Sequence, residues 1–303
     1  MYARKVLILA AVFLLIACLQ IHAAPPADAA HTLVTVEPKK GASPEMATLR
    51  PGDVMIYQSH DKLPVAEVTP LAGQPVELYL AIDDSVGANF AQQFADLRKF
   101  VASQGANTAV GIAYMRDGTV NILQKPTTDH AAAARSLRLP LEIGGSSPYE
   151  SISELLKQWP ASAARHEIVM ISNGIEPFGG NEYSNPEVDE AIAAAQRAVV
   201  PVFVIYAPAG GHLGHSFWRT NWAQQYLSRL SDETGGEGYN INGIDVVSWA
   251  PYLDDITLRL ERQYRVAFAP KPPPKPGFVP VRASTEVPHI DLAMQDRVWV
   301  GGE

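Results

Sequence analysis

The chain has 303 residues, 47% hydrophobic and 18% charged, with 24 basic against 32 acidic residues and a formal charge of −8. That length and apolar content can bury a sizeable core. The acidic balance and the lack of a basic patch exclude nucleic-acid binding by backbone neutralisation. A single cysteine, Cys18, excludes an internal disulfide and a zinc ribbon.

Residues 1–24 read as an address. Arg4 and Lys5 precede a run without a polar residue from Val6 to Ile16, the layout of a secretory signal. The run is shorter than the roughly 20 apolar residues of a membrane span; counted through Ile21 it also admits an uncleaved anchor. Two processing routes stay open. Leu15-Ile16-Ala17-Cys18 resembles a bacterial lipobox, in which Cys18 would be lipidated and tether the protein to a membrane. Ala23, Ala24 and residues 27–29 offer small side chains to an ordinary signal peptidase, with Cys18 then one more apolar residue of the signal. Either route implies export, to the periplasm, the outer membrane or beyond, and loss of Arg4 and Lys5 leaves the mature chain more acidic still.

Beyond the signal, residues 31–37 alternate β-branched with polar side chains, as a half-buried strand does. Residues 54–57 and 63–69 add two strands, completing a β leader over 31–70. From Val76 to Ile82 the chain is almost continuously apolar. A helical period follows in Phe90, Phe94, Leu97 and Val101, closed by Gly105. Residues 108–115 form a strand, Asp117-Gly118 marks a hairpin, and 119–123 return. A helix over 149–159 leads to a buried strand at 168–171. Asn185 caps a helix over 186–199 that carries Pro186 in its first turn. The strand 201–206, a helix over 222–234 stopped by Gly235-Gly236, a short strand at 239–241 and a helix over 247–262 follow. Residues 264–268 read as the last core strand. Apolar strands alternating with helices mean a mostly parallel sheet covered on both faces, a doubly wound α/β domain over 74–269. Residues 270–276 (Pro-Lys-Pro-Pro-Pro-Lys-Pro) are a stiff spacer, after which 278–281 and 297–300 pair as terminal strands.

Ligands of such sheets bind at the carboxyl ends of the strands. There the sequence places Asp83-Asp84-Ser85-Val86-Gly87 and Ser172-Asn173-Gly174, with Gly144-Gly145-Ser146-Ser147-Pro148-Tyr149 opening the helix between them. This ordered set resembles the von Willebrand factor type A (VWA) domain. The resemblance extends through the 201–206 strand and the Leu230–Gly236 segment, over roughly residues 32–300. The leader is similar to the β segment that precedes the VWA-related domain of acidobacterial-type exported proteins.

In that family the three loops form a metal-ion-dependent adhesion site for a hard cation. The resemblance implies Asp83, Ser85 and Ser146 as ligands, with Asn173 where a second Asp belongs and Gly87 where a second Ser belongs. One carboxylate and one hydroxyl short, the site is expected to be degenerate, with no cofactor or only weakly held Mg²⁺. Asp84 adds a charge nearby, on a side chain free to point elsewhere.

The remaining motifs carry less. His212 and His215 could ligate zinc, but no third ligand stands beside them. Phe217, Trp218 and Trp222 are expected to pack in the core, and His166-Glu167 to cap a loop. Gly179-Gly180-Asn181 lacks the Lys-Ser/Thr of a phosphate loop, and no Gly-x-Ser-x-Gly elbow is present. The sequence thus predicts an exported, non-enzymatic adhesion or scaffold protein that binds a protein or surface polymer. A metal-dependent hydrolase using the His212/His215 loop, or a purely structural envelope component, are the alternatives.

Overall fold

The computed structural model describes residues 29–39, 48–87, 89–143, 145–177, 185–209, 216–241, 243 and 246–301. Cys18, the signal segment, the Gly179-Gly180-Asn181 run and the His212/His215 pair lie outside them.

Four strands lead: β1 (Ala30–Pro38), β2 (Met55–Gln58), β3 (Asp61–Leu63) and β4 (Val65–Pro70). The α/β part runs β5 (Val76–Asp83), α1 (Phe90–Ala102), β6 (Thr108–Arg116), β7 (Thr119–Thr127), α2 (His130–Arg135) and α3 (Pro148–Gln158). It continues with β8 (Arg165–Ser172), α4 (Pro186–Ala198), β9 (Val202–Tyr206), α5 (Phe217–Thr234), β10 (Gly238–Tyr239) and α6 (Ala250–Glu261). Five strands close the chain: β11 (Gln263–Phe268), β12 (Gly277–Pro280), β13 (Arg282–Ser284), β14 (Ile290–Met294) and β15 (Arg297–Val300).

The central sheet has the order β7-β6-β5-β8-β9-β10 and is parallel except for the β6–β7 hairpin. In β5, β6, β8 and β9 the apolar runs are continuous because both faces of the strand are buried, whereas the edge strand β7 alternates exposed with half-buried residues. Along β5, Leu78, Leu80 and Ile82 enter one layer with α1, α2 and α6. Tyr79 and Ala81 enter the other with α3, α4 and α5. This is the doubly wound architecture that the alternating pattern implies. Asp117 and Gly118 both take positive φ (49° and 72°), the backbone a tight hairpin requires. Asn185 Oδ1 accepts from the amides of Glu187 and Val188 at 3.0 and 3.2 Å, satisfying two free donors at the start of α4.

Three local expectations are corrected. The strand at 264–268 is not in the parallel sheet: β11 lies antiparallel between β1 and β4, with β14 beyond β1, around a separate core. A short, mostly apolar run does not declare its partners; here the leader and the C-terminal strands share one sheet. Helix α5 begins at Phe217, five residues before the predicted start, and leaves Phe217 and Trp218 exposed at 71% and 63%. His166 and Glu167 stand inside β8 rather than in a loop, and Glu167 is fully buried. The terminal pairing of β12 with β15 is present.

Candidate functional site

Numbered from β5, the central sheet has the order 3-2-1-4-5-6, and its direction of winding reverses between β5 and β8. The residues at the carboxyl ends of these two strands therefore open a crevice. Ile82 and Ile171 are register partners, so the next residues, Asp83 and Ser172, come to lie side by side.

Asp83 is the centre of the cluster and is fully buried. Its Oδ1 accepts from the Ser85 amide (2.7 Å) and the Ser85 hydroxyl (2.6 Å), and its Oδ2 accepts from the Ser172 hydroxyl (2.6 Å). Burial raises its pKa, against the opposing pull of these donors. The Ser146 hydroxyl faces the same carboxylate but makes no hydrogen bond of good geometry. Ser147, in the left-handed region at φ 43° before α3, donates its hydroxyl to Glu176 Oε1 at 2.7 Å.

Asn173 decides what this cluster can bind. Its Oδ1 accepts from the Ile175 amide at 2.8 Å, and its Nδ2 donates to Ser85 Oγ at 2.8 Å. A backbone N–H can only donate, so the amide oxygen must face Ile175 and the NH₂ must face the cluster. Where the metal-site pattern calls for a carboxylate oxygen, this chain presents hydrogens. The turn that holds this geometry needs Gly174, at φ 68°, whose added Cβ would meet Leu227 Cγ at 2.6 Å.

Asp84 points away from the crevice. Arg138 holds it through two contacts, Nη1–Oδ1 at 2.6 Å and Nη2–Oδ2 at 2.7 Å, and the Leu141 amide adds a third at 3.2 Å. The guanidinium lies 3.7 Å from the centre of the Tyr114 ring, and Tyr114 and Arg138 are further joined through the phenol oxygen. This strut fixes the segment leading into Ser146. On the opposite side, the Gly87 amide donates to the Pro208 carbonyl at 2.9 Å, and Val86 bridges Ala209.

Asp83, Ser85, Ser146 and Asn173 are thus brought together as the sequence places them. The resulting donor set nevertheless does not fit a divalent cation. A hard ion of Mg²⁺ type takes about six oxygens, whereas here the one carboxylate already accepts three hydrogen bonds and Asn173 offers N–H. Among the described residues no three His, Cys, Asp or Glu side chains assemble for a metal. Ser172, Arg138 and Glu176 are participants that sequence reasoning did not assign. For Ser172 the signal was its place at the end of the strand beside β5. For the other two no spacing could have given it.

No family model matches the chain, and no curated protein matches it. The solved structures it resembles include VWA domains. The ArnB paralog VWA2 from Sulfolobus acidocaldarius shares 11% identity over 90% of this chain and 76% of its own, with a TM-score of 0.41. The vWF domain of the type V pili tip protein Mfa5 from Porphyromonas gingivalis shares 14% over 61% of this chain and 94% of its own, with a TM-score of 0.41. Proximal thread matrix protein 1 from the mussel byssus shares 12% over 73% of this chain, with a TM-score of 0.45; the chain spans 51% of that protein's length.

Proposed function

We propose that this chain is an exported, non-enzymatic binding protein that engages a protein or surface polymer through the carboxyl edge of its central sheet, without a metal ion. The observation that carries this reading is where large apolar side chains meet solvent. Among the described residues seven such side chains are exposed; Leu123 in β7 and Leu258 in α6 stand apart, and Leu139, Leu141, Phe217, Trp218 and Val247 are 49%, 53%, 71%, 63% and 93% exposed. All five sit in the segments that follow β6–β7, β9 and β10 around that edge. Exposed apolar side chains gathered at one end of a fold are what interaction surfaces are made of. Phe217 and Trp218 are held edge to face at 5.6 Å between ring centres, a preformed aromatic pair.

The closed Asp83 network supports the other half of the proposal. Among the described residues no His, Lys or Cys is hydrogen-bonded to Asp83, Ser85, Ser172 or Asn173, so no imidazole, amine or thiol stands beside the serine hydroxyls. It serves instead to fix three loops from beneath.

Capture from an envelope extract, with and without EDTA, tests the reading. A partner should be retained equally in both conditions, and the Phe217→Ala/Trp218→Ala double variant should retain at least tenfold less. Retention abolished by EDTA, or undiminished in the double variant, overturns it.

A further inference from the structure

A cavity of about 410 Å³ lies at the opposite, amino end of the sheet. It opens where β8 begins, where α3 and α4 end, and where β1 and β11 of the antiparallel sheet pass alongside. Its size falls in the range of about 300–1,000 Å³ typical of small-molecule sites.

One wall is rigid and aromatic. Trp159 stacks on His166 with ring centres 4.3 Å apart and planes 7° from parallel. The indole is fixed from two further directions: its Nε1–H donates to Glu77 Oε2 at 2.7 Å, and Tyr79 meets it edge-on at 4.6 Å. Val199 shapes the facing wall from a left-handed backbone (φ 55°, ψ 48°), a conformation a β-branched residue seldom adopts. A glycine would end α4 there without strain and would leave that wall without its side chain.

The charge around the cavity runs against that of the whole chain. His31, Arg165, His166 and Arg265 line it, and no Asp or Glu does, although the chain carries −8. Two of these groups are engaged behind the wall: Arg165 donates to the Leu71 and Leu260 carbonyls and stands 3.5 Å from Glu167, and His166 stands 3.5 Å from Glu77. Burial also holds His166 below its ordinary pKa, so its ring is uncharged at neutral pH. His31 and Arg265 form no ion pair among the described residues. Leu33 is the register partner of Arg265, and His31 lies two residues before Leu33, so all three share one face of the β1–β11 pair. An exposed guanidinium at the mouth of an apolar, aromatic-walled cavity is the arrangement that selects a carboxylate on a flat apolar body.

We propose that this cavity is a small-molecule site for an aromatic carboxylate, with Arg265 holding the acid group and the Trp159 wall and Val199 enclosing the ring. It is separate from the carboxyl-edge surface and does not depend on it.

Calorimetric titration of the full chain with three naphthalene probes tests the proposal. 2-Naphthoate should bind once per chain, 2-naphthylmethanol at least tenfold more weakly, and 2-naphthylmethylammonium not measurably. Arg265→Gln should weaken 2-naphthoate at least tenfold and bring acid and alcohol together. Ala161→Trp, at an exposed lining position, should abolish binding of both while circular dichroism and the melt remain those of the parent. Phe217→Ala/Trp218→Ala should leave all three titrations unchanged. Equal affinity for acid and ammonium, no measurable 2-naphthoate binding, or indifference to either cavity variant would overturn the assignment.

Discussion

Replacing Asn173 with Asp exchanges one NH₂ for an oxygen and reverses what the crevice presents. The Asn173 amide nitrogen now donates to Ser85 Oγ at 2.8 Å, and the Ser85 hydroxyl donates onward to Asp83 at 2.6 Å. In the variant the new oxygen meets a hydroxyl whose hydrogen is already committed. The unmade bond costs about 1–3 kcal/mol. The two links also place the new carboxylate within 5.4 Å of Asp83 by way of Ser85 Oγ. At an effective dielectric of about 20, two unit charges at that distance repel by about 3 kcal/mol, and uptake of a proton relieves part of this. A net loss of about 3–5 kcal/mol, at roughly 2–4 °C per kcal/mol for a domain of this size, lowers the melt in EDTA by about 10 °C. With Asp83, the new Asp and the hydroxyls of Ser85 and Ser146 facing one point, Mg²⁺ gains a place. At 100 times its dissociation constant it would return about 2.7 kcal/mol. Scanning calorimetry at neutral pH, in EDTA and in millimolar Mg²⁺, reads both effects. The wild-type melt should not respond to Mg²⁺, and the variant should recover most of its loss. A wild-type melt that rises with Mg²⁺ as steeply as the variant's, or a variant as stable as wild type in EDTA, refutes the orientation assigned to Asn173.

Three further perturbations probe the scaffold. Burial pushes Glu167 up to about 8 from an ordinary 4.5, so the folded state keeps a proton that the unfolded state has lost. Its contribution therefore falls as pH rises from about 4.5 to 8. Glu167→Gln should flatten that slope in urea melts at pH 5, 6.5 and 8, and at pH 8 stabilise by about 1–3 kcal/mol after Arg165 loses its partner. Parallel slopes for the two proteins would contradict this. Gly174→Ala places a Cβ 2.6 Å from Leu227 Cγ and 2.8 Å from the Ala223 carbonyl at φ 68°; strain and overpacking should cost about 2–4 kcal/mol by chemical denaturation. Arg138→Ala leaves the Asp84 carboxylate, 2% exposed, without its ion pair. Because Arg138 itself is 31% exposed, the loss should be about 2–3 kcal/mol, below the 3–5 of a fully buried pair. Asp84→Asn in the same background should recover part of it.

The parallel strands were legible because burial on both faces writes an uninterrupted apolar run, as in residues 76–82, and the helices because a period such as Phe90, Leu97 and Val101 suits only a helix. Both signals are local. Strand partners are not, which is why 264–268 read as part of the wrong sheet. Its apolar run satisfies a central position between β1 and β4 as well as one in the parallel sheet. The exposure of Phe217 and Trp218 was hidden for a similar reason. Aromatic residues ahead of a helix signal burial on average, but here the helix begins early and its first turn reaches solvent. Asp84 illustrates a third kind of gap. Its neighbour Asp83 faces the crevice, yet the strand pleat turns Asp84 the other way, toward an arginine 54 positions along the chain.

The sequence by itself determined the composition of the crevice. One carboxylate, hydroxyls at 85 and 146, an amide at 173 and no side chain at 87 follow from residue identity and from the rule that doubly wound sheets place their sites at strand ends. Only the tertiary structure decided what those groups do. An isolated Asn can turn either end of its amide toward a ligand, and it is the Ile175 N–H, fixed by the turn at Gly174, that removes the choice and aims the NH₂ at Ser85. The amino-end cavity depends on the fold still more completely. His31, Trp159, Val199 and Arg265 come from four distant stretches of chain, and their meeting depends on β1 and β11 pairing beside the ends of α3 and α4, a long-range contact that no local pattern encodes.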